Sequence, residues 1–238
     1  MRSTRRDPRQ ARFLTWASVR WVLRHRAFTP WYLLRYWRFT LLKLRNPHIV
    51  TEGFVFLGKG VEVHARRGYG RLVLGPFVHV GDGTAIRCHE GNVRIGDRCV
   101  FGGNDTVNAY LDVEFGESVL VADGVYVCDF DHGMADIHVP IKDQGIVKSP
   151  VRVGPGVWLG NRVTVTRGVA IGRGCAVGAH AVVAHDLPEY SVAVGVPARV
   201  VCDRVDTYEA AAERRAALAR MADEQRRALA RAVDDRRG

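Results

Sequence analysis

The sequence predicts an all-β chain coiled from very short strands, with a helical appendage at each end. Two observations carry the coil. From Leu74 onward an aliphatic residue recurs every six positions, often followed by Gly, with a small or β-branched residue in the fifth place. This period is neither the 3.6 residues of a helix nor the two of a simple strand. A third observation separates the ends from the middle. Residues 1–45 hold twelve Lys and Arg against Asp7 alone, a net +11. Residues 203–238 carry nine Arg and eight acids, which leaves residues 46–202 slightly acidic within an overall +10. The segments are therefore a basic arm (1–48), a coil (49–202) and an Ala- and Arg-rich C-terminal helix (203–238).

The arm comes first. Its run FLTWASVRWVLRHRAFTPWYLLRYWRFTLLKLR reads as two helical pieces broken at Pro30, and it holds Trp16, Trp21, Trp31 and Trp37. Trp, Tyr and Arg together suit the surface of an anionic membrane. The same residues suit packing on the protein's own coil equally well. No nucleic-acid recognition motif accompanies them. No stretch approaches the ~18 uncharged apolar residues of a membrane span, and Arg20 and Arg24 interrupt the apolar part in a way that argues against a signal peptide.

The coil is legible hexad by hexad. Leu74-Gly75, Val80-Gly81, Ile95-Gly96, Phe101-Gly102 and Phe115-Gly116 set the frame, and Val153-Gly154, Leu159-Gly160, Val165-Thr166, Ile171-Gly172, Val177-Gly178 and Val183-Ala184 repeat it without a break. The fifth places agree: Val78, Thr84, Cys99, Val119, Val125, Val157, Val163, Val169, Cys175 and Ala181. Two inward residues per six fill a narrow interior, and the Gly relieves a corner with positive φ. Three hexads make one triangular turn, and the turns start near Leu57, Leu74, Ile95, Phe115, Val153 and Ile171. Stacked turns pair at ~4.8 Å and cover one another's edges. A Gly/Val-rich sandwich would not hold an aliphatic residue every six positions over six consecutive hexads.

One long break interrupts the coil, DFDHGMADIHVPIKDQGIVKSP at residues 129–150. Long loops on rigid scaffolds tend to carry function. Asp131 falls in an inward fifth position, and His132 follows at a corner. A neutral histidine there can take a proton from an acceptor hydroxyl; it also suits a surface residue at a loop mouth. His138 is its competitor. Asp131 orients the His132 ring, binds acceptor hydroxyls or closes the loop, and Gln144 orders the loop rather than reacts. Cys128 reads as a space-filling residue, as Cys99 and Cys175 do, rather than an acyl carrier. His180 and His185 are five apart without an evident third ligand, so they read as lining a groove. Five cysteines without CxxC point to a reducing cytosol.

From Asp131-His132 through VGPGVWLGNRVTVTRGVAIGRGCAVGAHAVVAHDLPEYSVAVGVPARVV, the chain resembles the bacterial hexapeptide-repeat acyltransferases. These fold as left-handed parallel β-helices. The Val157-Trp158-Leu159-Gly160 segment and the closing Gly195-Val-Pro-Ala-Arg199 are most similar to the galactoside, maltose and xenobiotic O-acetyltransferase branch. The likeness covers about residues 50–202 and neither end. It implies acetyl-CoA or another short acyl-CoA as donor, no metal, and a homotrimer with CoA bound between subunits. It implies His132 as catalytic base, while Asp131 and Gln144, read from their place in the excursion, are candidate acceptor-binding residues. Asn104 matches an Asn used against a sugar, although a turn Asn would read the same way. Trp158 and Gly160 would flank the pantetheine arm, Asn161, Ala179 and His180 would line the groove, and Arg199 would meet phosphate. Ala184-His185 stands where the family often has Thr-Lys, so a usual cationic contact is missing.

The expectation is a cytoplasmic, membrane-peripheral enzyme that acylates a sugar hydroxyl of a glycan or glycolipid. An N-acyltransferase on an amino-sugar nucleotide is the alternative within enzymes. A zinc β-helix like the γ-class carbonic anhydrases, or a silent scaffold, is the alternative of another class.

Overall fold

In the computed structural model, residues 16–213 and 215 are described. Two compact units divide between Val201 and Cys202. In the first, two helices precede a parallel β-helix: α1 (Trp16–Arg24) and α2 (Pro30–Arg45). Pro30 opens α2, where its missing N–H costs nothing. Phe39 and Leu42 of α2 are buried. Tyr36 sets its ring 5.3 Å from Phe54 and 6.0 Å from Phe56, and Trp21 of α1 lies 5.2 Å from Phe56. The Arg35 and Arg38 guanidiniums donate to the carbonyls of Phe56 and Leu57. The arm thus covers the outward side of the strand Val55–Leu57, and Phe56, which faces outward there, is fully buried. Burying such a ring contributes ~1.5–3 kcal/mol. The second unit is helical over 204–213. Residues 1–15 of the arm, and residues 214 and 216–238 of the expected C-terminal helix, lie outside the described residues.

Three parallel sheets form the walls of the coil. The first takes Val50–Thr51, Arg71–Leu74, Asn92–Ile95, Asp112–Phe115, Val151–Val153 and Ala170–Ile171. The second includes Val55–Leu57, Val78–Val80, Val100–Phe101, Leu120–Val121, Trp158–Leu159, Ala176–Val177 and Ser191–Val194. The third takes Glu62–Ala65, Ala85–Cys88, Thr106–Ala109, Tyr126–Cys128, Thr164–Val165 and Val182–Val183. Each turn visits all three walls once, as three hexads per turn require. The aliphatic and fifth-place residues point inward: Val80, Phe101, Val121, Leu159 and Val177 form one buried column. This is the parallel β-helix that the resemblance implies.

Two sequence expectations need correction. The first turn does not start near Leu57. Leu57 pairs with Val80 and Thr51 pairs with Leu74, so the frame begins one hexad earlier, with a buried Thr in the aliphatic place. The Gly in the second place does not relieve a positive φ either. Positive φ falls in the fourth place, at Gly60 and Gly83 but also at Phe77, Arg98, Asn104, Arg162 and His180. The second-place Gly is needed because the next coil passes too close for a side chain. A Cβ on Gly81 would lie 2.1 Å from the Gly102 carbonyl oxygen.

Candidate active site

The excursion starts where the third wall ends. Val127 points inward, and two residues later the Asp129 carboxylate is fully buried. It accepts the backbone N–H groups of Tyr110 (2.8 Å), Leu111 (2.7 Å) and Asp112 (2.6 Å) from the coil before. The side chain satisfies a corner that the departing backbone no longer covers. The chain then leaves the coil as a hairpin, Phe130–His132 antiparallel to Ile146–Lys148, with His132 opposite Ile146.

Asp131 is therefore not an inward fifth-place residue. It is half-exposed, and its carboxylate accepts Nε of Arg167 at 2.6 Å. The ion pair ties the mouth of the excursion to the next coil rather than orienting an imidazole. His132 is exposed, and its ring makes no hydrogen bond to another described residue. Gln144 spends its amide within the loop, donating to the carbonyls of Asp136 and Val139 and accepting the Asp136 N–H. His138, also exposed, sits inside that closed turn and donates its N–H to the Asp136 carboxylate. Beneath the excursion, burial pushes the Cys128 thiol and the Tyr126 phenol up from their ordinary values. A protonated, buried thiol is a poor nucleophile.

The candidate donor-site residues gather elsewhere. Asn161, Ala179 and His180 lie on the corner between the second and third walls, and the acceptor candidate Asn104 lies on the same corner two coils before Asn161. Asn161 donates to the Asp123 carbonyl and accepts the His180 N–H at its own carbonyl. A cavity of about 280 Å³ opens there, lined by Gly103, Asn104, Asp123, Gly124, Asn161 and Arg162. Trp158 stands outward on the second wall, half-exposed, in register with Leu120 and Ala176. Gly160 ends that strand, and a Cβ on it would lie 2.7 Å from the Ala179 nitrogen. Arg199 is exposed.

Within one chain the two groups are apart. His132, Asp131 and Arg167 occupy the corner after the third wall; Asn104, Asn161 and His180 occupy the corner before it. The strand between them spans on the order of 15 Å. His180 and His185 fall on different corners of one chain, before and after the third wall. No group of three or more His, Cys, Asp or Glu that could hold a metal occurs among the described residues. Sequence reading missed Arg167 and Asp129. Asp129 left no signal, because it falls in the third place of its hexad, where Asp82, Asp97 and Asp123 stand in theirs. Arg167 left none, because its partner is 36 positions away across the excursion.

Known proteins agree with this architecture. Residues 150–185 match the family described as bacterial transferase hexapeptide (six repeats), and residues 92–128 the hexapeptide repeat of succinyl-transferase. A probable acetyltransferase of Mycobacterium tuberculosis is 59% identical over 214 residues, spanning 90% of this chain and 71% of that protein. The chain belongs to the hexapeptide-repeat acetyltransferase family. Galactoside O-acetyltransferase of Escherichia coli is 33% identical to this acetyltransferase over 136 residues, 55% of this chain and 66% of its own length. In fold, the acetyltransferase resembles a mutant of AntD, an N-acyltransferase from Bacillus cereus crystallised with dTDP and coenzyme A. That match has a TM-score of 0.53 and 18% identity, and covers 72% of this chain and 94% of the other.

Proposed function

We propose that this acetyltransferase moves an acetyl group from CoA to a sugar hydroxyl of a glycan or glycolipid, with His132 as general base. The observation that carries the reading is the position of His132. It lies at the neck of the excursion, exposed, with its ring free for a substrate and its strand pinned by the Asp131–Arg167 pair. One ring nitrogen of His132 accepts the hydroxyl proton while the acceptor oxygen bonds to the thioester carbonyl carbon. The carbon–sulfur bond then breaks, and the imidazolium returns the proton to the departing sulfur. Trp158 and Gly160 would border the pantetheine arm, and Asn161, Ala179 and His180 would line the rest of the donor groove. The sugar acceptor is supported by the relative named galactoside O-acetyltransferase. The separation of the two corners supports a homotrimer, in which the base of one chain meets the donor groove of the next.

His132→Ala tests the assignment. The expected outcome is an enzyme that keeps its melting temperature and CoA binding but loses about 10²–10⁴-fold in turnover. His138→Ala should stay near wild type. The reverse result overturns the base assignment. Mass spectrometry of cell-envelope glycans with and without the protein tests the acceptor class; unchanged acetylation overturns it.

A further inference from the structure

Helix α2 is apolar on two opposite faces. One face is accounted for, since Tyr36 and Phe39 set their rings on Phe54 and Phe56 and Leu42 is buried in the same core. On the other side, Leu34, Trp37, Leu41 and Leu44 recur three and four residues apart, which places them in one stripe. Leu34, Trp37 and Leu44 are 54%, 64% and 74% exposed. A helix that faces water on one side carries polar residues there; this one carries leucine and tryptophan. Trp16 of α1 is exposed as well.

Charge selects the occupant. Residues 16–45 contain seven Arg and Lys and no acid. Arg35 stacks over the Trp31 ring at 3.9 Å, which keeps one cation beside the exposed aromatics. Arg38 and Arg45 flank the stripe and share with Leu41 the wall of a groove of about 350 Å³ against the first coil. A second copy of this face would bring the same positive charge against itself. An anionic lipid surface offers both an apolar layer for the leucines and tryptophans and negative headgroups for the guanidiniums. Sixteen residues give a helix about 24 Å long, and no described helix is long and apolar enough to cross a bilayer. The geometry of a helix lying flat in the interface remains.

We propose that the outer face of α2 docks the protein in the plane of an anionic bilayer. This rests on the arm alone and is independent of the transfer chemistry. The test is co-sedimentation of the full chain with two kinds of vesicle: phosphatidylcholine alone, and equal parts phosphatidylcholine and phosphatidylglycerol. Binding is expected only to the second, weakening as salt rises. The triple variant Leu34→Ser, Trp37→Ser, Leu44→Ser should keep the melting temperature and oligomeric state and bind about a hundredfold more weakly. Wild type that stays in the supernatant with anionic vesicles at low salt overturns the proposal. So does a variant that binds vesicles as wild type does. A variant whose oligomer falls apart assigns the stripe to a contact between subunits and overturns it too.

Discussion

Asp105 and Asp129 are both buried carboxylates, and the coil treats them in opposite ways. Asp129 receives three backbone N–H donors and closes a corner. Asp105, in the fifth place of the Phe101 hexad, points into the interior. Its Oδ1 accepts the Val125 N–H at 2.8 Å, while its Oδ2 has no partner among the described residues. Burial, the dominant cause, pushes this carboxyl up to about 7. Its folded value thus lies above the unfolded carboxylate value of about 3.9, and the folded state holds the proton more tightly. The stabilisation that Asp105 supplies is complete below about pH 4 and is lost as pH rises through about 7. Urea denaturation of the wild type and of Asp105→Asn across this window should therefore diverge. The wild type should lose up to about 1.4 kcal/mol per pH unit relative to the variant. Parallel profiles would show that Asp105 is already ionised in the folded protein.

At the level of the coil, the six-residue period was enough to find the walls, because each hexad buries its aliphatic and fifth-place residues in a shared column. It missed where the column started: Thr51 is buried in an aliphatic place without being aliphatic. It also passed over Asp105, an acid at a position read as apolar. The glycines were legible as a pattern, but their cause was not, since closeness between coils is a contact at a distance of a whole turn. The two causes can be separated by experiment. Gly60 has φ +67° and open space around a would-be Cβ, so Gly60→Ala should cost only the left-handed strain, ~1–2 kcal/mol. Gly81→Ala would drive a methyl into the Gly102 carbonyl and force two coils apart. It should cost more than about 3 kcal/mol or abolish folding. Equal losses of melting temperature would contradict the close-approach account.

The whole molecule raises a question of assembly. The resemblance marked the site residues by type, but a linear sequence did not disclose that they divide between two corners of the prism. One chain carries His132 on the corner after the third wall, and Asn161, Ala179 and His180 on the corner before it. The excursion also exposes Met134, Ile137 and Ile141, apolar side chains that a neighbouring subunit would cover. A cyclic trimer that sets the first corner against the second of the next chain makes three composite sites. Complementation follows from that arrangement. His132→Ala removes the proposed base, and Ala179→Trp fills the proposed donor corner with a bulky ring at an exposed position, so neither variant alone should turn over substrate. Co-expression yields mixed trimers in which the Ala179→Trp chain supplies His132 and the His132→Ala chain supplies an open groove. About one site in three of each mixed trimer is then intact, and acetyl transfer should return to that order. If each chain held a complete site, every site in the mixture would keep one lesion, and no activity would return. Co-expression without recovery, in trimers shown by mass to be mixed, would place base and donor groove in the same subunit.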